Sequence, residues 1–348
     1  MNEEIIKDTP QSDVVISSRV RLARNFNNYP FPSKMKPEDG QKILNKVGEV
    51  VFEKANAIDK KFKFENIQKL KHIERQVLVE KHLISPDLAR GKTVGGAIIS
   101  DDEKVSIMVN EEDHLRIQCV LAGLRLDDAW HLCSKIDDLL EDSIDYAFDE
   151  KLGYLTCCPT NIGTGIRVSA MLHLPALVMT GYIKGILEIC SKLGIVVRGF
   201  FGENTEALGN VFQISNQVSL GQSEEDIIFG INNIAEQIIG QERNLRNTLY
   251  KQNPHRFEDK VYRSLGILSN ARIISTEEAL KLISDVRLGV YMGIINNIDV
   301  DTLSEIQLLA QPANLQKNTE GSLNPGERDI KRAEVIRNKI LRAINGFK

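Results

Sequence analysis

Several things are scarce or missing in this chain of 348 residues, and each absence removes a class of function. There are five cysteines (119, 133, 157, 158 and 190) and no CxxC pair, so neither a zinc site nor a disulfide framework is indicated. Cysteine usage of this kind fits a reducing cytosol, and a cytoplasmic protein is expected. Positive charge is not in excess: 44 Lys and Arg stand against 48 Asp and Glu, for a net charge of −4. General nucleic-acid binding needs a basic face and is therefore not expected, although a local basic pocket remains allowed. No apolar run is long enough to span a bilayer, and the start, Met1-Asn2-Glu3-Glu4, is acidic where a signal peptide is basic. Familiar nucleotide motifs fail as well. Pro86 stands where a phosphate loop ending in Gly91-Lys92-Thr93 would require its first glycine. Gly163-Thr164-Gly165-Ile166-Arg167-Val168 lacks the third glycine of a dinucleotide fingerprint, and no HRD or DFG element is present. What is there is ordinary: 42% hydrophobic and 26% charged residues, enough chain for two domains.

Periodicity gives a coarse map. Residues 1–12 read as a loose tail. Helical spacing of Ile43, Val47, Val50 and Val51 predicts a helix over 37–57. Phe62–Phe64 is a candidate edge strand, and Glu74–Leu83 a short helix. Ala97–Ser100 and Val105–Asn110 flank the turn Asp101–Lys104 as a hairpin. A helix is expected over 127–146 and a well-buried one over 175–193, stopped by Gly194. Strands follow at 195–198 and 211–219, then a long helix opened by a capping box at Ser223–Asp226. From about Asn253 no strand is obvious. Capping boxes at Ser275–Glu278 and Thr302–Glu305 mark further helices, 311–326 reads as a loop, and a last helix covers roughly 327–344.

Four stretches carry chemistry. Tyr154-Leu155-Thr156 reads as a strand running into Cys157-Cys158-Pro159-Thr160-Asn161-Ile162-Gly163-Thr164-Gly165-Ile166-Arg167, a turn with a thiol at one end and a guanidinium at the other. An electropositive, partly exposed loop favours the thiolate, although a cysteine in a Gly-rich turn is often only a small buried hydrophobe. In Ser17-Ser18-Arg19-Val20-Arg21-Leu22-Ala23-Arg24, an extended chain puts Arg19 and Arg21 on one side. Their charges repel unless an anion sits between them or water screens both. Asn110-Glu111-Glu112-Asp113-His114-Leu115-Arg116 follows an apolar strand. If extended, it sets Glu112, His114 and Arg116 on one face. Near the end, Arg328 and Arg332 are i,i+4 neighbours with Asp329 beside them, either a solvated basic face or an anion site.

The first three stretches, with Val197-Arg198-Gly199-Phe200-Phe201-Gly202-Glu203-Asn204, occur in the order seen in the phosphagen kinases, the family of creatine and arginine kinases. The resemblance covers roughly residues 12–250, and the whole chain looks most like the bacterial branch that phosphorylates arginine in proteins. It implies an α+β fold: a mainly antiparallel sheet flanked by helices in a catalytic domain over 1–252, then an all-helical domain over 253–348. The family's cofactors are ATP and Mg²⁺, the ion held mainly by nucleotide and water, so no protein metal ligand is expected. Ser18, Arg19, Arg21, Arg116, Arg167 and Arg198 match nucleotide-binding positions; His82 matches one against the base, and Met171 stands where many relatives have His. Glu112 and Glu203 match the pair that grips the guanidinium, with Glu112 as proton acceptor and Cys158, as thiolate, beside it. Arg328, Asp329 and Arg332 match an RDxxRA pocket for phosphoarginine. Small-guanidine kinases carry an extra helical domain before the first stretch, which this chain reaches almost at once. That difference, with Phe200, Phe201 and Asn204, favours an arginine presented on a protein over free arginine or creatine. Implied partners are proteins with exposed arginines, a heat-shock transcription repressor, a Clp ATPase/protease, a zinc-binding activator and a second copy in a homodimer. A kinase of a free guanidino compound and a non-catalytic phosphoarginine adaptor are the alternatives.

Overall fold

The computed structural model describes residues 9–91, 94–199, 208–319 and 321–346. Its centre is an eight-stranded antiparallel sheet. In chain order the strands are β1 (Val15–Arg24), β2 (Phe62–Asn66), β3 (Gly96–Ser100), β4 (Val105–Val109), β5 (Leu115–Ala122), β8 (Ile166–His173), β9 (Ile195–Gly199) and β10 (Val211–Asn216). A separate two-stranded ribbon pairs β6 (Phe148–Asp149) with β7 (Gly153–Tyr154). The sheet order is β2-β3-β4-β5-β1-β8-β10-β9, so β1 lies in the middle, between β5 and β8. The expected hairpin is β3–β4, and Phe62–Phe64 does fall in a strand at one edge.

Period-two alternation splits the sheet into two unlike faces. Val20, Leu22, Ile117, Cys119, Val168, Ala170, Leu172 and Ile214 lie on one of them and are buried. They pack against α1 (Pro37–Ile58), α4 (Leu126–Glu141) and α7 (Glu224–Gln252) in one hydrophobic core. Ser223 caps α7 as expected, accepting from the Asp226 N–H. A smaller core lies between α2 (His72–Glu80), α3 (Pro86–Ala89) and the far side of β3 and β4.

The chain breaks its longest helical run at Asn253, which caps α8 (Pro254–Asn270) by accepting from Arg256 N–H. With α9 (Thr276–Tyr291), α10 (Val300–Leu309), α11 (Pro312–Lys317) and α12 (Pro325–Gly346), it builds a helical region with its own core of Phe257, Val261, Leu282, Val286, Ile306 and Ile336 among others. That region docks on the sheet domain through specific polar contacts. The Glu80 carboxylate accepts from the Ala313 N–H, the Asn314 N–H and the Asn314 side chain at 2.6, 2.9 and 2.8 Å. His173 Nε2 lies 2.7 Å from Ser284 Oγ.

Several expectations need correction. The predicted helix over 175–193 is two: α5 (Pro175–Met179) and α6 (Ile183–Lys192). Gly181 has φ +76°, a left-handed turn that stops the first helix after five residues. Nor is α6 well buried, for Cys190 alone is fully enclosed while Ile189 is 56% exposed. Gly194, at φ +72°, does follow α6 directly. The 127–146 helix ends at Glu141, and the strand before Cys157 is only Gly153–Tyr154. The N-cap of α10 is Asp299, which accepts from Thr302 N–H, so Thr302 lies one turn inside. The loop expected over 311–326 contains α11, where Pro312 presets the first turn. Residues 110–114 are a tight turn rather than extended, with Asn110 at φ +59° and the Asn110 N–H donating to His114 O.

Candidate active site

The second face of the sheet collects arginines. Register sets Arg21 opposite Arg167 on β8 and Gln118 on β5, and Ala23 opposite Arg116. Gln213 on β10 pairs with Met171 on one side and Arg198 on the other. Cross-strand partners share a face, so Arg19, Arg21, Arg116, Arg167, Met171 and Arg198 all lie on the side away from the main core. Four strands separated by up to 179 positions in sequence thus converge on one surface, because β1 and β8 are central neighbours.

Electrostatically this surface is under strain without an anion. Burial lowers the Arg19 pKa to about 10. Arg21 is pushed well below its ordinary value, first by burial and then by Arg19, Arg116 and Arg167, with Glu111 opposing. Among the described residues, the Nε atoms of Arg19 and Arg21 are buried with no hydrogen-bond partner. His82 joins the same face: its backbone carbonyl accepts from Gln118 Nε2 at 2.8 Å. Burial, and then Arg19, lowers the His82 pKa to about 3, so the ring is neutral at ordinary pH.

Neighbouring positions on β1 behave differently. Ser18 points the other way; its hydroxyl donates to Gly123 O and accepts from Arg125 N–H, both at 2.8 Å, and it fixes the turn before α4. The structure does not bring Ser18 to the arginine face. Arg24 also lies opposite, ion-paired to Asp137 at 2.6 Å and stacked on the Tyr154 ring at 3.6 Å. Its fork also donates to Thr164 O at 2.9 Å, which helps hold the Cys158 loop. Gly165 completes that anchor. Its carbonyl accepts from Ala23 N–H, and at φ +69° an added Cβ would come within 2.6 Å of Ala23 O.

The acidic turn between β4 and β5 divides its three carboxylates. Arg116 forks across two of them, Nη1 to Glu111 at 2.8 Å and Nη2 to Glu112 at 2.9 Å. Glu111 is enclosed and also accepts from Ser85 Oγ at 2.7 Å. Glu112 keeps a side chain that is 41% exposed. Burial raises its pKa; Arg116 lowers it in part, and Asp113 and Glu111 add repulsion. The expected carboxylate–guanidinium pairing is therefore present, but produced by a turn, with His114 turned inward. The His114 Nδ1 accepts from Phe26 N–H, so its Nε2 carries the proton and donates to Pro30 O at 3.0 Å.

Asp113 was not singled out by the sequence, yet it ties the site together. Its Oδ1 accepts from Asn25 Nδ2 at 2.6 Å and from Cys157 N–H at 2.7 Å. Asn25 in turn accepts from His114 N–H at 2.9 Å and donates to Leu155 O at 3.0 Å. The end of β1, the Glu112 turn and the cysteine loop are thereby pinned to one another. Three acids in a row gave no signal for which one was structural; only the fold assigns them. The Cys157 thiol is pushed up to about 12 by burial and by Asp113, which leaves it inert. Cys158 Sγ lies 3.1 Å from Thr160 Oγ1 on the same loop. Glu203, with Phe200, Phe201 and Asn204, lies outside the described residues.

At the other end of the chain, Arg332 is 2% exposed. Its guanidinium donates to Ala310 O at 2.8 Å, Ile274 O at 2.9 Å and Asp329 Oδ1 at 2.5 Å. Arg328 is half-buried and donates to Leu323 O at 3.0 Å. Among the described residues, no group of three or more His, Cys, Asp or Glu side chains is arranged to hold a metal ion.

Two family profiles match the chain. One, described as ATP:guanido phosphotransferase, C-terminal catalytic domain, covers residues 42–245. The other, described as protein-arginine kinase McsB C-terminal domain, covers residues 254–345. A protein-arginine kinase of Caldanaerobacter subterraneus is 54% identical over 324 residues, spanning 93% of this chain and 96% of that protein. One of Bacillus subtilis is 47% identical over 337 residues, spanning 97% and 93%. Among solved structures a lombricine kinase superposes with a TM-score of 0.57 at 20% identity, over 70% of each chain, a likeness of fold.

Proposed function

The chain belongs to the ATP:guanido phosphotransferase family, and from that premise we propose that it transfers the γ-phosphoryl group of ATP to arginine side chains in proteins. The observation that carries the reading is the sheet face itself. Arg19 and Arg21 are half-buried beside one another with Nε atoms that meet no acceptor among the described residues. Such a surface fits a polyanion: each guanidinium binds phosphate oxygens in pairs and keeps its charge. ATP, with Mg²⁺ bound chiefly to its phosphates and water, supplies the transferable group and a shielded leaving group.

The chain's own residues then have distinct tasks. Arg19, Arg21, Arg116, Arg167 and Arg198 hold and neutralise the phosphates, and His82, neutral, takes the base. Glu112 and Glu203 grip the incoming guanidinium, and Glu112 accepts a proton from the attacking nitrogen. A P–N bond forms as the bond from the γ-phosphorus to the bridging oxygen breaks, releasing ADP. An ordinary carboxylate is a poor base for a group whose pKa exceeds 12. Burial of Glu112 helps by raising its proton affinity, and Arg116 aims it. Cys158 lies beside the guanidinium and favours the reactive nitrogen electrostatically. Arg328, Asp329 and Arg332 as a phosphoarginine sensor, the homodimer, the zinc-binding activator, cytoplasmic action, Clp-dependent proteolysis and relief of a heat-shock repressor belong to the same reading and rest on relatedness alone. A phosphoarginine bound there would have to share Arg332 with two backbone carbonyls.

Mass spectrometry under non-acidic conditions, on an arginine-bearing protein incubated with Mg-ATP, tests the reading. Phosphoarginine is expected with the wild type and at least about 100-fold less with Glu112→Ala. Modification of free arginine alone, or none with an activator supplied, rejects it. The pH dependence follows from Glu112. Only its ionised form can take the proton, and its pKa is raised, so kcat/KM falls as pH drops through a midpoint above that of an exposed glutamate. A midpoint at the ordinary carboxylate value contradicts its role.

A further inference from the structure

Helix α2 stops in a way that glycine usually performs. After its C-cap, Lys81, comes His82 at φ +59°. The His82 N–H donates to Val79 O and the Leu83 N–H to Leu78 O, both at 2.9 Å, the paired bonds of a left-handed helix stop. Glycine adopts that φ freely, whereas a Cβ makes it costly. A histidine persists there only where its surroundings hold it, and such an outlier points to a use for the side chain. Two side chains of the sheet do the holding. Gln118 Nε2 donates to His82 O at 2.8 Å, and Ser106 Oγ donates to Leu83 O at 2.5 Å. Ser106 on β4 and Gln118 on β5 are register partners, both buried, and Gln118 pairs on its other side with Arg21. Cross-strand partners share a face, so two consecutive carbonyls of the turn are bonded from the sheet face that bears Arg19, Arg21 and Arg116. The His82 ring lies near enough to Arg19 for that guanidinium, after burial, to depress its pKa.

We propose that Gln118 and Ser106 are positioning residues for nucleotide binding, fixing the His82 turn so that its ring stands against the base while the arginine stripe holds the phosphates. The proposal rests on the reading above, in which His82 takes the base, and adds what keeps the ring in place. Without the two donors the turn relaxes toward the commoner right-handed or extended backbone, and the ring leaves its position. Arg19, Arg21 and Arg116 are carried by strands paired on both sides and stay where they are. Affinity for the base and affinity for the phosphates are therefore separable by substitution at Gln118, a residue that touches neither.

The test uses the full chain and two ligands, Mg-ATP and magnesium tripolyphosphate, which offers phosphates and no base. Gln118→Met keeps the length of the side chain and removes the donor. It is expected to weaken Mg-ATP binding about tenfold by calorimetry and to leave tripolyphosphate binding unchanged. His82→Gly should show the same selective loss. Adding Gln118→Met to His82→Gly should then weaken Mg-ATP no further, because both act through one ring. Ser106→Ala is expected to act in the same direction, about threefold, and carries the test if Gln118→Met does not fold. Equal weakening of both ligands, or a lower melting temperature with Mg-ATP affinity intact, gives Gln118 a purely structural role and overturns the proposal. Unchanged Mg-ATP affinity in His82→Gly also overturns it, and the phosphate stripe survives that result. A wild type that binds neither ligand overturns the nucleotide reading as well.

Discussion

Two sets of arginines in this protein, one half-buried and one buried, have opposite circumstances. On the sheet face, Arg19 and Arg21 crowd one another and Arg167, and their Nε atoms meet no acceptor among the described residues. In the seam and the helical region, the buried Arg246, Arg287 and Arg332 all have hydrogen-bond partners. Arg332 bonds two carbonyls and Asp329. Arg246 bonds Glu242 at 2.8 Å and the carbonyls of Asp13 and His173 at 3.0 and 3.1 Å. The first set is held side by side by β1, an arrangement that suits the anionic ligand proposed above. The second set adds hydrogen bonds between elements that already share a hydrophobic core. The same side chain therefore meets acceptors in one region and mainly other guanidiniums in the other.

The sharpest way to break this contrast is a matched pair of substitutions. Arg332→Met strands the carbonyls of Ala310 and Ile274 and the Asp329 carboxylate, and should destabilise by about 3–5 kcal/mol in thermal or urea unfolding. Arg21→Met relieves repulsion and should stabilise the nucleotide-free protein by about 1 kcal/mol while abolishing ATP-dependent protection against unfolding. Equal losses in the two variants would erase the distinction. A smaller effect is expected at the seam. Glu80→Ala orphans three donors at the start of α11 and should cost about 1–3 kcal/mol. Because Glu80 lies two residues from His82, a rise in the KM for ATP should accompany that loss; a change in stability alone would mean the seam does not reach the nucleotide face.

A further effect appears only below pH 6.5. His173 is fully buried, and its pKa is driven well below 6.5 by burial and then by Arg246, Arg287 and Lys260. Ser284 Oγ faces its Nε2, and Asn210 donates to the same hydroxyl at 2.8 Å. The folded state keeps the ring neutral while the unfolded chain protonates it below pH 6.5. Stability is therefore unaffected above that pH and falls as pH drops beneath it, by about 1.4 kcal/mol per unit for one proton. His173→Gln should remove that share of the slope, leaving the shares of His82 and His114. An unchanged slope would place the pH sensitivity elsewhere.

Much of the catalytic half was legible because its signals are local. Alternation in Arg19-Val20-Arg21-Leu22 announces a strand with a basic side and an apolar side, and that is how β1 lies. The same alternation assigns Ser18 and Arg24 to the other face, against the motif reading of Ser18. Helix 175–193 misled because apolar content was taken as burial; Gly181 and solvent decided otherwise. The i,i+4 spacing of Arg328 and Arg332 was visible, but not that Arg332 would be consumed by carbonyls 22 and 58 positions away.

By itself, then, the order of residues determined several strands though not β5 or β8, most helix starts, the chemistry of the basic stripe and the family, because alternation, caps and motifs act over a few neighbouring positions. Tertiary structure alone decided which of three adjacent acids binds Arg116 and which pins Cys157, which arginines keep partners, and that Glu80 would grip a helix 233 positions away. Those outcomes depend on long-range strand register and domain docking, and a hydrogen bond between distant segments leaves no pattern in the sequence near either end.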